Sequence, residues 1–125
     1  MSRKYTTLLL AILAILFLGF TPQTTTVDAS WKTVCEQNAS EYPNVTFHVH
    51  NTGLTNPFTA CRVQVFIGPL ATDWEDVTIN WTACNSLAAG ASSTWSITGS
   101  SYSKFRMQVQ STIGTTCYCR PYATR

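Results

Sequence analysis

The sequence predicts an all-β fold, a small immunoglobulin-like antiparallel β-sandwich stabilised by disulfides, and three observations carry that prediction. After Trp31, short stretches alternate apolar and polar residues with a two-residue period, and turn residues separate them. No window holds an apolar stripe at helical spacing, and β-branched and aromatic residues dominate the alternating stretches. All five cysteines follow Trp31, in a stretch long enough for one small domain only.

The chain opens with Arg3 and Lys4, then the apolar run LLLAILAILFLGF from Leu8 to Phe20. A spanning helix needs roughly 20 apolar residues, so this shorter run reads as the core of an export signal. Ala29 and Ser30 are the small residues of the polar segment that follows, which places the expected cut after Ala29, with Val27 two positions before it. The expected organisation is a signal peptide over residues 1–29 and a single domain over residues 30–125. Membrane contact is then expected only through the signal peptide before cleavage. Thr21 to Asp28, polar and Thr-rich, is expected to be removed or without structure.

The interval Trp31 to Glu41 reads either as an edge strand or as a short helical turn followed by loop. Val45, Phe47 and Val49 then alternate with Thr46, His48 and His50, a half-buried strand closed by the turn Asn51-Thr52-Gly53. Asn56-Pro57 adds a second turn. In the next strand Cys61, Val63, Val65 and Ile67 share one face, with Arg62 and Gln64 opposite, and Gly68-Pro69 stops it. Leu70 to Asp76 reads as a solvated connection. Val77, Ile79, Trp81 and Ala83 alternate with Thr78, Asn80, Thr82 and Cys84, putting Cys84 at a strand end or on the face away from the apolar row. Leu87 to Gly90 is a turn before a strand over Ala91 to Thr98, in which Trp95 and Ile97 share a face. Phe105, Met107 and Val109 define another strand, Gly114 a turn, and Cys117 to Arg120 a short last strand ended by Pro121.

The run His50-Asn51-Thr52-Gly53, the strand CRVQVFIG, the turn Leu87-Ala88-Ala89-Gly90 with its following Ser/Thr segment, and the hairpin that ends at Val109 together resemble the CARDB-type repeats. These are adhesion-related modules of bacterial and archaeal exported proteins, and the resemblance covers about Val45 to Ser111. It implies an immunoglobulin or fibronectin III-like sandwich with an interaction or scaffolding role and no catalytic set. The chain departs from that family in its cysteines, since members are usually cysteine-poor.

From Ser30 onward six bases face five acids, a net charge of +1 with both His neutral. Phosphate-backbone binding rests on several Lys or Arg contacts, so nucleic acid is excluded as an expected partner. Cysteines exported to an oxidising compartment form disulfides that support a marginal core. Cys35, Cys61, Cys84, Cys117 and Cys119 are all disulfide candidates, but five thiols give at most two intramolecular bonds and leave one over. Cys117 and Cys119 leave one face of a strand about 7 Å apart, too far to bond each other. The expected arrangement therefore staples one of them to Cys61 or Cys84 and the other to Cys35. A cross-link between subunits through the spare thiol is the competing reading.

His48 and His50 share a strand face and offer two ligands, where a zinc site takes at least three, so a solvated face is the expectation and no metal is assigned. No serine stands in a nucleophile-elbow setting, so no catalytic residue and no cofactor site are assigned either. Asp73, Glu75 and Asp76 lack the spacing of a calcium loop. Trp81 and Trp95 read as core, and Trp74, between charges, as the possible contact residue. The sequons at Asn38, Asn44 and Asn80 matter only in a host that glycosylates them.

The expected function is a secreted or cell-surface, non-enzymatic interaction or adhesion module whose partner is a protein or surface glycan. Two alternatives stand beside it. One is a disulfide-cross-linked structural subunit of an extracellular fibre or surface layer, a homo-oligomer formed through the unpaired cysteine or a sheet edge. The other is a small secreted inhibitor or toxin.

Overall fold

The structure is a computed structural model that describes residues 23–77 and 81–125. Its strands are β1 (Thr25–Val27), β2 (Lys32–Asn38), β3 (Asn44–Asn51), β4 (Ala60–Phe66), β5 (Trp74–Asp76), β6 (Ser92–Ile97), β7 (Lys104–Gln110) and β8 (Thr115–Thr124). They form two four-stranded antiparallel sheets, β1-β8-β3-β6 (sheet A) and β2-β7-β4-β5 (sheet B). The disulfide-stabilised all-β sandwich expected from the alternation is therefore what the chain forms. No described residue is helical, and among the described residues no helix is long and apolar enough to cross a membrane. The apolar run Leu8 to Phe20 lies outside the described residues.

Every connection but one carries the chain across the gap between sheets, since only β4 and β5 are consecutive in one sheet. Odd-numbered strands run towards one end of the sandwich, here the upper pole, and even-numbered strands run back to the lower pole.

The core is the alternation made physical. Val45, Phe47 and Val49 of β3, Val63 and Val65 of β4, and Phe105, Met107 and Val109 of β7 are all fully buried. Trp95 of β6 lies between Phe47 and Phe105, at centroid distances of 6.1 and 6.3 Å. Such burial contributes about 25 cal/mol per Å² of apolar surface removed from water.

Several elements differ from the sequence reading. Thr25–Val27, expected to be removed or without structure, pairs with Thr115–Cys117 of β8, and Val27 is fully buried. Three residues are too few to show a period, so the strand was invisible to pattern. The ambiguous Trp31–Glu41 interval holds β2, in which a bulge between Thr33 and Cys35 turns Cys35 towards the core and hides the alternation. The strand expected over Val77–Cys84 is displaced: β5 is Trp74–Asp76, in the stretch expected to be loop, and residues 81–87 make turns. Residues 78–80 lie outside the described residues. Ile67, placed on the apolar row by alternation, falls beyond the end of β4 and is exposed.

The last strand runs through Pro121 to Thr124 instead of stopping before it. Thr116 O accepts the N–H of Thr52, the continuation of β3, so even-numbered residues of β8 direct their backbone groups to β3 and odd-numbered ones away from it. Pro121 therefore lacks its N–H on the side where no ladder bond to β3 is needed, the position in which a strand tolerates proline.

At the upper pole, buried Asn51 ends β3. Its Nδ2 donates to Asn56 O and Leu87 O, both at 3.0 Å, and its Oδ1 accepts from Thr115 Oγ1 (2.9 Å) and Gly53 N (3.1 Å). Gly53 is required here, because a Cβ on it would collide with Thr115 Oγ1.

Two disulfides complete the domain. Cys35–Cys119 joins β2 of sheet B to β8 of sheet A, and Cys61–Cys84 ties the start of β4 to the turns after β5. The expected reach of the terminal strand to Cys35 is correct. The second staple is not: Cys61 and Cys84 bond each other, and Cys117 is free and buried. Cys84 is fully buried instead of lying at a strand end or on an outer face, because residues 81–87 turn back over the mouth of β4.

Two outcomes are expected in urea denaturation. Asn51→Ala leaves two carbonyls, a hydroxyl and the N–H of Gly53 without their partner and lowers stability by about 2–4 kcal/mol. Removing the cystine pairs separately lowers it by about 3.5 kcal/mol for the bond spanning 23 residues and about 4.5 kcal/mol for the one spanning 84; equal or reversed losses would contradict the ranking by loop length.

Candidate functional site

The domain presents two broad lateral faces, formed by the outer sides of the sheets, and two poles, formed by the crossing connections.

The outer side of sheet B is a closed polar layer. Register sets Gln64 opposite Arg106 and Asp76, and Arg62 opposite Gln108. Arg62 Nε donates to Gln108 Oε1 and Arg106 Nε to Gln64 Oε1, each at 2.8 Å. Gln64 Nε2 then donates to Asp76 Oδ1 (2.8 Å) and Gln108 Nε2 to Thr33 Oγ1 (3.1 Å), so each amide both accepts and donates within the sheet. Both glutamines are buried although they point outward, because the arginines lie across them. The Arg62 guanidinium sits 4.3 Å from the Trp31 ring centroid and that of Arg106 4.2 Å from Trp74. Burial, and behind it the neighbouring Arg62, draws the Arg106 guanidinium below its usual value, with Glu36 and Asp76 opposing.

Trp74, the contact residue singled out from sequence, is part of this layer. It stands on β5 half-buried, with Phe66 at 5.3 Å on one side and Arg106 on another, and its Nε1 donates to Ala71 O. Its neighbours in sequence are charged, which suggests exposure, but its register partner is Phe66. Trp81 is buried, as expected, and donates to Ser93 Oγ (3.1 Å), while Trp95 is half-buried against the core.

The outer side of sheet A is a ladder of hydroxyls and imidazoles. His48 Nδ1 meets Thr94 Oγ1 at 3.0 Å and His50 Nδ1 meets Ser92 Oγ at 2.7 Å, with Arg120 and Tyr118 opposite them on β8. Among the described residues no group of three or more His, Cys, Asp or Glu side chains converges on a common point that could hold a metal ion.

Of the five disulfide candidates, Cys35, Cys61, Cys84 and Cys119 are paired within the chain. Cys117 is only 1% exposed, and burial pushes its thiol up to about 12. The thiolate is the reactive form, so this sulfur is inert in the folded domain and does not reach a neighbouring subunit from where it lies.

The poles have a different character. Among the described residues seven large apolar or tyrosine side chains are exposed, and all but Tyr122, which stands on the outer face of sheet A opposite Thr46, lie in the connections at the ends. Leu54 (96% exposed) and Ile113 (75%) stand on the β3–β4 and β7–β8 connections of the upper pole. A bond from Asn56 Nδ2 to Gly114 O (2.7 Å) holds those two connections together. Leu70 (64%) and Ile67 (53%) stand on the β4–β5 hairpin of the lower pole, with Tyr42 and Tyr102 on adjoining connections and Tyr122 near the end of β8. This segregation is absent from the sequence reading, because isolated apolar residues in loops carry no periodic signal. Only the strand directions show that they gather at two places.

No family model matches the chain, and no curated protein matches it. Among solved structures, the chain is similar to one described as Bacillus endospore appendages that form a novel family of disulfide-linked pili, at 10% identity and a TM-score of 0.35, covering 84% of this chain and 85% of that one. It is also similar to a chain in the structure of the infectious bursal disease virus Gx strain, at 11% identity and a TM-score of 0.40. That match covers 82% of this chain and 31% of the viral one.

Two outcomes follow from the site. Trp74→Ala removes the ring between Phe66 and Arg106 and lowers stability by about 1–3 kcal/mol, read by thermal melting; an unchanged melt would return Trp74 to the role of a free contact residue. Native protein at pH 8 resists iodoacetamide at Cys117 and reacts fully in denaturant. Because the folded thiol ionises later than the unfolded one, whose ordinary value is 9.0, stability is full below about pH 9 and falls as pH rises towards 12. Cys117→Ala removes that part of the alkaline slope.

Proposed function

We propose that the chain is a non-enzymatic structural subunit of an extracellular assembly, joined to copies of itself end to end. The observation that carries this reading is the segregation of exposed apolar side chains to the two poles. Surface apolar residues scattered singly need no explanation, whereas clusters rimmed by polar surface mark association sites. Here the outer side of sheet B is closed by its own hydrogen bonds and carries none of these exposed side chains.

The two poles are unlike. The upper one offers two aliphatic side chains, and the lower one aliphatic and aromatic side chains together. Contact between unlike surfaces on identical copies is head to tail, and unless the rotation closes a ring it continues as an open filament. Two internal cystines support an oxidising, extracellular location and suit a subunit that must hold its shape without a large core. An adhesion module, the first expectation from sequence, draws less support, since Trp74 is packed into its own sheet.

The test uses one charged residue at each pole. Wild-type protein at increasing concentration is expected to form a ladder of oligomers by light scattering, with filaments by electron microscopy. Leu54→Asp and Leu70→Asp are each expected to remain monomeric, and an equimolar mixture of the two to form dimers and nothing longer, because each retains one working pole. Wild type that stays monomeric up to its solubility limit, or oligomers that survive both substitutions, would overturn the reading.

A further inference from the structure

β1 lies inside the stretch that the sequence assigns to the export signal. The motif that suggests the cut, Val27-Asp28-Ala29 before Ser30, is the end of this strand and the turn that follows it. We infer that the mature domain keeps β1, and that any export cut falls upstream of Thr25 instead of after Ala29.

Four features of the fold depend on residues 25–28. Val27 is fully buried among the core side chains, so its loss leaves a hole the size of an isopropyl group. β1 pairs Thr25, Thr26 and Val27 with Cys117, Thr116 and Thr115 at one margin of sheet A, facing the outward backbone groups of Cys117 and Thr115. The carbonyl of Asp28 accepts the backbone N–H of Ser111 at 2.7 Å, and Ser111 is itself fully buried, so the cut strands a buried donor. Thr25 flanks Cys117, the one cysteine outside a disulfide among the described residues. A cut after Ala29 places that sulfur beside an open strand edge in an oxidising compartment, where an exposed thiol enters disulfide exchange.

The same residues also have a structural reason to be there. Val27 suits a buried edge position. Asp28 folds the turn, its Oδ1 accepting from Ser30 N (2.9 Å) and Ser30 Oγ (2.6 Å), which holds its carboxyl below the ordinary carboxylate value. Lys32 adds an ion pair to Asp28 at 3.4 Å, and Ala29 at the tip is exposed. A small apolar residue two positions before a small residue is thus what this turn needs, with no peptidase involved. The inference is independent of the end-to-end reading.

The test begins with the full chain expressed in a secreting host and the intact mass of the exported protein. A first residue at or before Thr25, an uncut chain included, is expected; a dominant species that begins at Ser30 overturns the inference. A second measurement uses Val27→Ala in the full chain, which leaves a small residue at that position for any peptidase. Its thermal midpoint is expected to fall by about 5 °C or more, and labelling of Cys117 by iodoacetamide under native conditions to rise at least about tenfold, because both depend on how well β1 docks. Cys117→Ser confirms the labelled site. Unchanged melting and labelling in Val27→Ala mean that β1 contributes nothing to the mature fold, and sink the inference even if the strand is present.

Discussion

The constraint on which the rest of this structure depends is the repeated crossing of the chain between its two sheets. Of the connections between the described strands only the β4–β5 hairpin, at the lower pole, stays within a sheet; the rest are arches, and an arch exposes backbone groups that no ladder satisfies. Asn51 answers that problem at the upper pole. One buried side chain spends all four of its hydrogen-bonding capacities on the β3–β4 connection, the turn before β6 and the start of β8. The arches it fixes are those that carry Leu54 and Ile113, so the same residue that closes the fold also holds the exposed surface in one shape. Rigid arches present apolar side chains without the ordering entropy that a mobile loop loses on association.

Much of the fold was legible because its central strands bury one face each. β3, β4, β6 and β7 alternate over six to eight residues; the inward apolar positions of β3, β4 and β7 are the buried core, and Trp95 and Ile97 of β6 are half-buried against it. The period fails where a strand is very short or is interrupted. β1 and β5 have three residues each, and β2 has a bulge. In sequence Pro121 is a stop signal for β8, whereas in the sheet its backbone nitrogen faces away from β3 and the strand continues. Which way a strand directs its odd-numbered groups is a property of its neighbours, and a single sequence does not contain it.

The candidate residues divide along the same line. His48 and His50 were placed correctly on one outer face, since alternation decides faces; their bonding to Thr94 and Ser92 is a consequence of register with β6. Trp74 was judged by its charged neighbours along the chain, while its surroundings are set by partners 8 and 32 positions away, Phe66 and Arg106. The cysteines show the limit most clearly. Extended geometry excluded a bond between Cys117 and Cys119 and led correctly to Cys35 as one partner. It did not say which of the two would stay free, because that depends on the bulge in β2 that turns Cys35 to face Cys119.

The distribution of polar interactions also bears on the direction of assembly. A sheet edge is the usual route for β domains to join, and β8 beyond Cys117 has no ladder partner among the described residues on its outer side. Yet that stretch carries Pro121, which removes a donor from the outward row, and the Cys35–Cys119 bond brings β2 against it. On the broad face of sheet B, a lateral partner that reaches the buried glutamines must break an Arg–Gln pair or displace a guanidinium from a tryptophan. At the poles nothing comparable has to be undone: Leu54 and Ile113 are solvated in the free domain, and covering them removes apolar surface from water without breaking any hydrogen bond. In the end-to-end assembly proposed above, contact therefore runs along the long axis of the sandwich, where the connections leave apolar side chains outside.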